Sequence, residues 1–278
     1  MSDALVLGGG GVAGIAWITG LMLGLDDAGH DVTGAEVIVG TSAGATVAAQ
    51  VGSGLGLPEL YARQFEPELQ TPEIMVETDL DSWVAELRAV TDGVTTVAGM
   101  RRAVGRFALD ATTVPEAERR AVIASRLPSH EWPERALRIV AVDAETGEPR
   151  VFDKSSEVSL VDAVAASCAV PGIWPPATVG GRRYVDGGVR SGTNADYAAG
   201  ASRVLVVVPL GTAERFPTDT PLAGAVAQLR ASGTEVAIVT PDDRSMQAIG
   251  ANPLDPSTRT PAADSGRRQG AGLQLQWS

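Results

Sequence analysis

The 278-residue chain holds one cysteine, Cys168, and two histidines, His30 and His130. A lone thiol excludes a disulfide framework and a cysteine-based zinc site, and two imidazoles nearly exclude a metal site built on histidine. Neither a metal nor a cofactor is expected. Aromatic residues make up only 4% of the chain, whereas glycine accounts for 32 positions. That balance fits a layered α/β domain with close backbone contacts better than a β-sandwich. Positive charge is also short: 22 Lys and Arg stand against 34 Asp and Glu, a net charge of −12. A field of that sign repels nucleic acid, and Arg101-Arg102 and Arg267-Arg268 are isolated pairs rather than a basic patch. Contact with a membrane or micelle is expected to be transient. Finally, no run is long enough to span a bilayer. The uncharged stretch 5–25 opens on glycines, its helical part is shorter than the ~20 residues a crossing needs, and the N-terminus carries Asp3 and no basic residue. The expectation is a soluble, cytoplasmic protein.

With 44% hydrophobic residues the chain can bury a large core, and its length suits one domain. Residues 4–7 read as a buried strand, Gly8 to Gly11 as a turn, and 12–28 as an apolar helix closed by Gly29. A second strand at 36–39 meets a sharp turn, Gly40-Thr41-Ser42-Ala43-Gly44, and a second helix at 43–51. Strand, turn, helix and strand make a βαβ unit with parallel strands. Residues 53–135 carry more charge and proline, with helical runs at 82–90 and 114–124, and read as a helical insert that could act as a lid. The sheet resumes at 137–142, turns back at 151–152, and continues at 182–185, 204–208 and 236–239, with helices at 160–167 and 222–232. Residues 241–278 form a polar tail in which Asp255 could cap a last helix beginning at Pro256. The fold class is α/β, a three-layer sandwich with a mostly parallel central sheet and a helical insert, all in one domain.

Three motifs carry chemistry. In Gly40-Thr41-Ser42-Ala43-Gly44 the strand before and helix after satisfy the context of a nucleophile elbow. Flanking glycines allow strand and helix to approach, and the helix N-terminus favours negative charge at Ser42. The alternative is a plain glycine-rich turn with a capping serine. The second motif, Gly9-Gly10-Gly11-Val12-Ala13-Gly14, fits the dinucleotide fingerprint. That fingerprint needs an acid at the end of the second strand, where Gly40-Thr41-Ser42 stands instead; Asp26, Asp27 and Asp31 come too early. Adjacent parallel strands would otherwise set this loop beside Ser42 as an oxyanion hole. The third motif, Tyr184-Val185-Asp186-Gly187-Gly188, is an ordinary turn in isolation. It gains meaning from the histidine deficit: no histidine follows His130, His30 lies at the far end of the first helix, and His130 sits in a proline-flanked loop. A base for Ser42 must then be a carboxylate, and Asp186 is the best placed. A carboxylate titrating at about 4 is a weak base for a hydroxyl, and burial would improve the match. A partly desolvated Asp186 hydrogen-bonded to Ser42 is therefore predicted.

Together these motifs resemble the patatin-like phospholipase family in order and type, and residues 166–176, Ala-Ser-Cys-Ala-Val-Pro-Gly-Ile-Trp-Pro-Pro, resemble a further family stretch. The likeness covers about residues 1–57 and 137–210. It implies a metal-free Ser-Asp hydrolase that cleaves acyl esters of phospholipids, lysophospholipids or neutral lipids through an acyl-enzyme. Ser42 would be the nucleophile and Asp186 the base. The N–H groups of Gly9, Gly10, Gly11 and Val12 would form the oxyanion hole, with Gly14, Gly40, Gly44, Gly187 and Gly188 as motif glycines. Two departures stand out: Ala13 replaces a basic residue common in the family, and Asp196 replaces a proline after Asn194. The competing functions are a dinucleotide-binding oxidoreductase and a non-catalytic protein of the same fold. Trp17, Met22 and Leu23 are read as core. Trp174 would line an acyl channel or anchor its loop, Trp83 and Trp132 would touch lipid or form a satellite core, and Cys168 would be a small buried hydrophobe.

Overall fold

The computed structural model describes residues 2–75, 79–214 and 216–276; residues 76–78 of the insert and 277–278 of the tail lie outside the described residues. Strand β1 (Asp3–Leu7) feeds helix α1 (Gly11–Asp27), and β2 (Val37–Gly40) feeds α2 (Ala43–Val51). The insert supplies α3 (Leu57–Ala62), α4 (Leu80–Thr91), α5 (Val97–Asp110) and α6 (Glu116–Arg126). Next come the hairpin β3 (Ala136–Asp143) and β4 (Pro149–Phe152), then α7 (Leu160–Ser167), β5 (Ala177–Val179) and β6 (Arg182–Asp186). The chain closes with β7 (Arg203–Val207), α8 (Leu222–Ala231), β8 (Glu235–Val239), α9 (Asp243–Ile249) and α10 (Arg259–Ala271).

Strands β3, β2, β1, β7 and β8 run parallel in that order, while β4, β5 and β6 add antiparallel pairings at the β3 end. Alternation along the strands fills two cores. Leu5, Leu7 and Ile38 point into one with α1, α2 and α7, whereas Ala4, Val6 and Val39 point into the other with α8 and the turn at 195–198. This is the expected three-layer sandwich. The insert is not detached from it: α4 and α5 close a third core over the end of β3 and β6, around Trp83, Met100, Val104 and Trp174. Trp83 is buried and donates from its indole to the Pro171 carbonyl at 2.8 Å, and half-buried Trp132 donates to Val158 at 2.7 Å. Both tryptophans thus face inward.

One pairing detail positions the site. Ile139 of β3 faces Gly40 on one side and Phe152 of β4 on the other, and Ala141 faces Asp186 on one side and Arg150 of β4 on the other. Because β4 occupies one flank throughout, β2 and β6 share the opposite flank. There they approach end to end, Gly40 stopping two residues short of the position that faces Asp186. The two motif turns therefore leave the sheet at one spot.

The tail is more integrated than its polarity suggests. Helix α10 packs on α1 backbone to backbone: a Cβ at Gly20 would lie 2.0 Å from the Ala263 carbonyl oxygen, and one at Gly266 would lie 2.4 Å from that of Trp17. Residues 12–25 of α1 are buried on every side. Asp255 caps a short turn at Pro256–Thr258, not α10 itself. Helices α3, α5 and α9 and strand β5 were not expected from the sequence; α5, with Gly99, Gly105 and three arginines, shows no clean apolar stripe but is held at its start by Thr96, whose hydroxyl accepts from Gly99 at 3.1 Å. No described helix is long and apolar enough to cross a membrane.

Candidate active site

Ser42 sits between β2 and α2 with φ 54° and ψ −115°. For a residue bearing a Cβ this conformation costs about 1–3 kcal/mol and persists only where the surroundings enforce it. They do so at several points. The N–H of Thr41 donates to Leu7 at 3.0 Å and that of Gly44 to Gly8 at 3.1 Å. A Cβ at Gly44 would meet the Leu7 carbonyl oxygen at 1.9 Å, so only glycine allows α2 to start there. Ser167 Oγ accepts from the Ser42 N–H at 2.9 Å and donates to the Val140 carbonyl at 2.7 Å. Cys168 Sγ donates to the Ser42 carbonyl at 3.2 Å. Burial, and then the Asp186 charge, push the Cys168 thiol above its ordinary value, which keeps that donor protonated. Cys168 is thus a buried residue, as expected, but also a strut under the elbow. The stretch 166–176 has a physical meaning that its sequence did not disclose: it braces Ser42.

Asp186 ends β6 and is 6% exposed, against 8% for Ser42. Its Oδ1 accepts from the Gly188 N–H at 2.7 Å, and its own N–H donates to Ala169 at 2.9 Å. A Cβ on Gly187 would approach the Val140 carbonyl oxygen to 2.2 Å and the Thr41 methyl to 3.3 Å, so the acid's turn lies directly against the serine's turn. Asn194 joins the two. Its amide donates to Thr41 Oγ1 at 3.0 Å, to the Gly187 carbonyl at 3.2 Å and to the Ser191 carbonyl at 2.9 Å, while its Oδ1 accepts from Arg190 at 2.7 Å. Arg190 in turn makes a two-pronged pair with Asp196 at 2.9 and 2.7 Å. The acid that stands in place of the proline therefore secures the loop through an arginine.

The glycine loop lies against the elbow, a Cβ at Gly9 falling 3.6 Å from that of Ser42. Its donors divide. The Gly9 N–H is engaged by the Gly192 carbonyl at 3.0 Å, so Gly9 is removed from the expected oxyanion set. For Gly10, Gly11 and Val12 no acceptor occurs among the described residues. They are the first N–H groups of α1, where a helix leaves donors free. Ala13 is fully buried and its N–H donates to Pro253 at 3.0 Å, which leaves no room there for a long basic side chain. Strand β2 ends at Gly40 without an acidic residue.

A narrow cleft opens over this centre, lined by Gly11, Val12, Ser42, Arg119, Arg126 and Trp174 together with Glu73 and Leu254. Glu73, from the insert, accepts from Arg126 at 2.6 and 3.1 Å and from Arg259 of α10 at 2.9 Å. Burial alone would raise its carboxyl, but Arg126, Arg259 and Arg119 hold it below the ordinary value. Arg119 lies 3.8 Å from the centre of the Trp174 ring. Sequence reasoning missed this cluster, as it missed Ser167 and the clamping role of Asn194. The histidines stand apart: His30 is half-buried beyond the C-terminal end of α1, and exposed His130 approaches the Ala124 carbonyl at 3.0 Å. No group of three or more His, Cys, Asp or Glu side chains able to hold a metal occurs among the described residues.

Comparison with known proteins identifies the family. The family model described as patatin-like phospholipase matches residues 5–199. Among solved structures, VipD from Legionella pneumophila superposes with a TM-score of 0.46 at 14% identity, over 97% of this chain and 66% of that one. The type III effector protein ExoU gives a TM-score of 0.41 at 15% identity, over 100% of this chain and 54% of that one. The chain thus spans less than two thirds of either structure's length, and likeness of this degree adds nothing to the family match.

Proposed function

This chain belongs to the patatin-like phospholipase family, and from that premise we propose that it hydrolyses lipid acyl esters through an acyl-Ser42 intermediate with Asp186 as the base. The observation that carries the proposal is the end-to-end approach of β2 and β6 on one flank of β3, which sets a strained serine and a buried carboxylate at one point without an imidazole.

The chemistry follows from the parts. Ser42 Oγ attacks the ester carbonyl carbon while its proton passes to Asp186. The carbonyl oxygen takes up the negative charge and is met by the N–H groups of Gly10, Gly11 and Val12 and by the N-terminal end of α2, groups already oriented before the reaction begins. Collapse of the tetrahedral adduct breaks the bond to the alcohol oxygen, which leaves with the proton held by Asp186. A water then loses a proton to Asp186 and attacks the acyl-serine; the second collapse frees the carboxylic acid and restores the serine hydroxyl. Phospholipids, lysophospholipids and neutral fatty-acyl esters are all candidate substrates.

A fluorophosphonate probe tests this directly. Ser42 should be the modified residue by peptide mapping, and Ser42→Ala should lose both labelling and turnover of p-nitrophenyl acyl esters. Folded protein that neither labels nor turns over a panel of such esters and phospholipids would overturn the proposal.

A further inference from the structure

Arg119 is a buried cation with too few partners. Its side chain is 8% exposed, and Nε and Nη1 are buried without a hydrogen-bond acceptor among the described residues. Among the described residues the nearest carboxylate oxygen is Glu73 Oε2, 4.0 Å from Nη1. Glu73 is held instead by Arg126 and Arg259, which donate to both of its oxygens. What Arg119 does have is an aromatic partner, Trp174, whose ring lies under the guanidinium at 3.8 Å, and a place in the wall of the cleft that contains Ser42.

Charge counting sharpens the point. Glu73 faces Arg119, Arg126 and Arg259, and Asp186 acts on Arg119 as well. Among these described groups three guanidiniums meet two carboxylates, one positive charge in excess, in a chain whose net charge is −12. Burying a cation without a full set of acceptors is unfavourable, so a folded protein that keeps one beside its reactive serine has a use for it. A guanidinium held over an aromatic ring with free N–H groups matches the oxygens of phosphate or carboxylate. A surplus of one charge matches a monoanion.

We propose that Arg119, stacked on Trp174, is the receptor for a singly charged phosphodiester on the alcohol side of the ester presented to Ser42, and so sets the preference of the cleft for phosphate-bearing over neutral acyl lipids. This rests on the hydrolase reading of the same cleft. The phosphodiester supplies the acceptors that Nε and Nη1 lack, and its binding orients the ester carbonyl toward Ser42.

Binding can be measured apart from turnover. Dodecylphosphocholine, below its micelle-forming concentration, carries the phosphodiester but no scissile ester. By titration calorimetry it should bind the full chain at least tenfold more tightly than dodecyl maltoside. Arg119→Met should erase that difference, Arg119→Gln should behave alike, and Arg119→Lys should keep part of it. A role in packing alone would not sort variants by charge. In turnover, the ratio of kcat/KM for a lysophospholipid over a monoacylglycerol should fall at least tenfold in Arg119→Met. Equal binding of the two amphiphiles by the unmutated chain would overturn the proposal. So would dependence on Arg119 for dodecanoate or inorganic phosphate only, which would mark a site for a free anion rather than a lipid headgroup. Arg119-dependent binding in a protein that fails to label at Ser42 would overturn the hydrolase reading instead, leaving a lipid-binding cleft.

Discussion

Asn194 donates from its side-chain amide to Thr41 Oγ1 at 3.0 Å, across 153 positions of sequence. Thr41 precedes Ser42, and the same amide also holds the Gly187 carbonyl next to Asp186. One side chain thus ties the Ser42 turn to the Asp186 turn. Replacing it takes a donor from the buried Ser191 carbonyl and an acceptor from one Arg190 guanidinium N–H, while the Gly187 carbonyl keeps the Arg190 backbone N–H at 3.0 Å.

Asn194→Ala should therefore destabilise the fold by about 2–3 kcal/mol, read from urea unfolding. It should also lower kcat more than it raises KM, because the loss is in placement of the base rather than in substrate contact. A variant that loses stability but keeps full kcat would show that the clamp is structural only.

Asp186→Asn should keep the fold and lose about a hundredfold or more in kcat, the span associated with a positioned base. His30→Ala and His130→Ala should retain activity, since neither ring lies at the cleft. Circular dichroism and ester hydrolysis on the three variants separate the cases, and an inactive, folded histidine variant would mean that the base is misassigned.

The Glu73 cluster ties stability to pH. A carboxyl held below its ordinary value contributes stability that is fully present above the ordinary carboxylate range and is lost as pH falls through the lowered, folded-state value. Glu73→Gln removes that acid-sensitive share and leaves buried guanidiniums uncompensated, at about 3–5 kcal/mol. Melting curves from pH 3 to 7 should show a lower Tm at neutral pH and a flatter acid limb. An unchanged Tm at pH 7 would contradict the account.

Arg119 should show the opposite sign. Burial, and then Arg126, pull it down to about 9. A base lowered on folding weakens the native state wherever it is protonated, that is at pH below 9, and the penalty fades as pH rises above that value. Arg119→Met should accordingly raise Tm at pH 7 by about 2–4 °C, with the gain shrinking above pH 9. A loss of stability at neutral pH would mean that stacking on Trp174 outweighs the buried charge.

The parts of the site that were legible in the sequence are those whose chemistry constrains the backbone. Gly40, Ser42 and Gly44 lie within one turn, Gly9 to Gly14 within another, and the strands feeding them are short apolar runs. Strands β7 and β8 were equally plain because both are rich in valine. What escaped has no local pattern. Glu73, Arg126 and Arg259 come from three distant stretches and meet only in the folded chain. Ser167 is an ordinary residue at the end of α7 until it receives the Ser42 N–H. The engagement of Gly9 by Gly192 depends on a loop nearly two hundred residues away. Helix α10 was read as part of a polar tail because its contact with α1 uses glycine and alanine rather than large apolar side chains.

That last contact decides how the chain would respond to being shortened. The family match stops at residue 199, yet α1, which begins with the free N–H groups of Gly11 and Val12, has its outer side covered by α10, and Pro253 receives the N–H of Ala13. Cutting after the matched region would strip the cover from a largely apolar helix and unfasten its first turn at the same stroke. The C-terminal part thus acts as a keel for the glycine loop that lies beside Ser42.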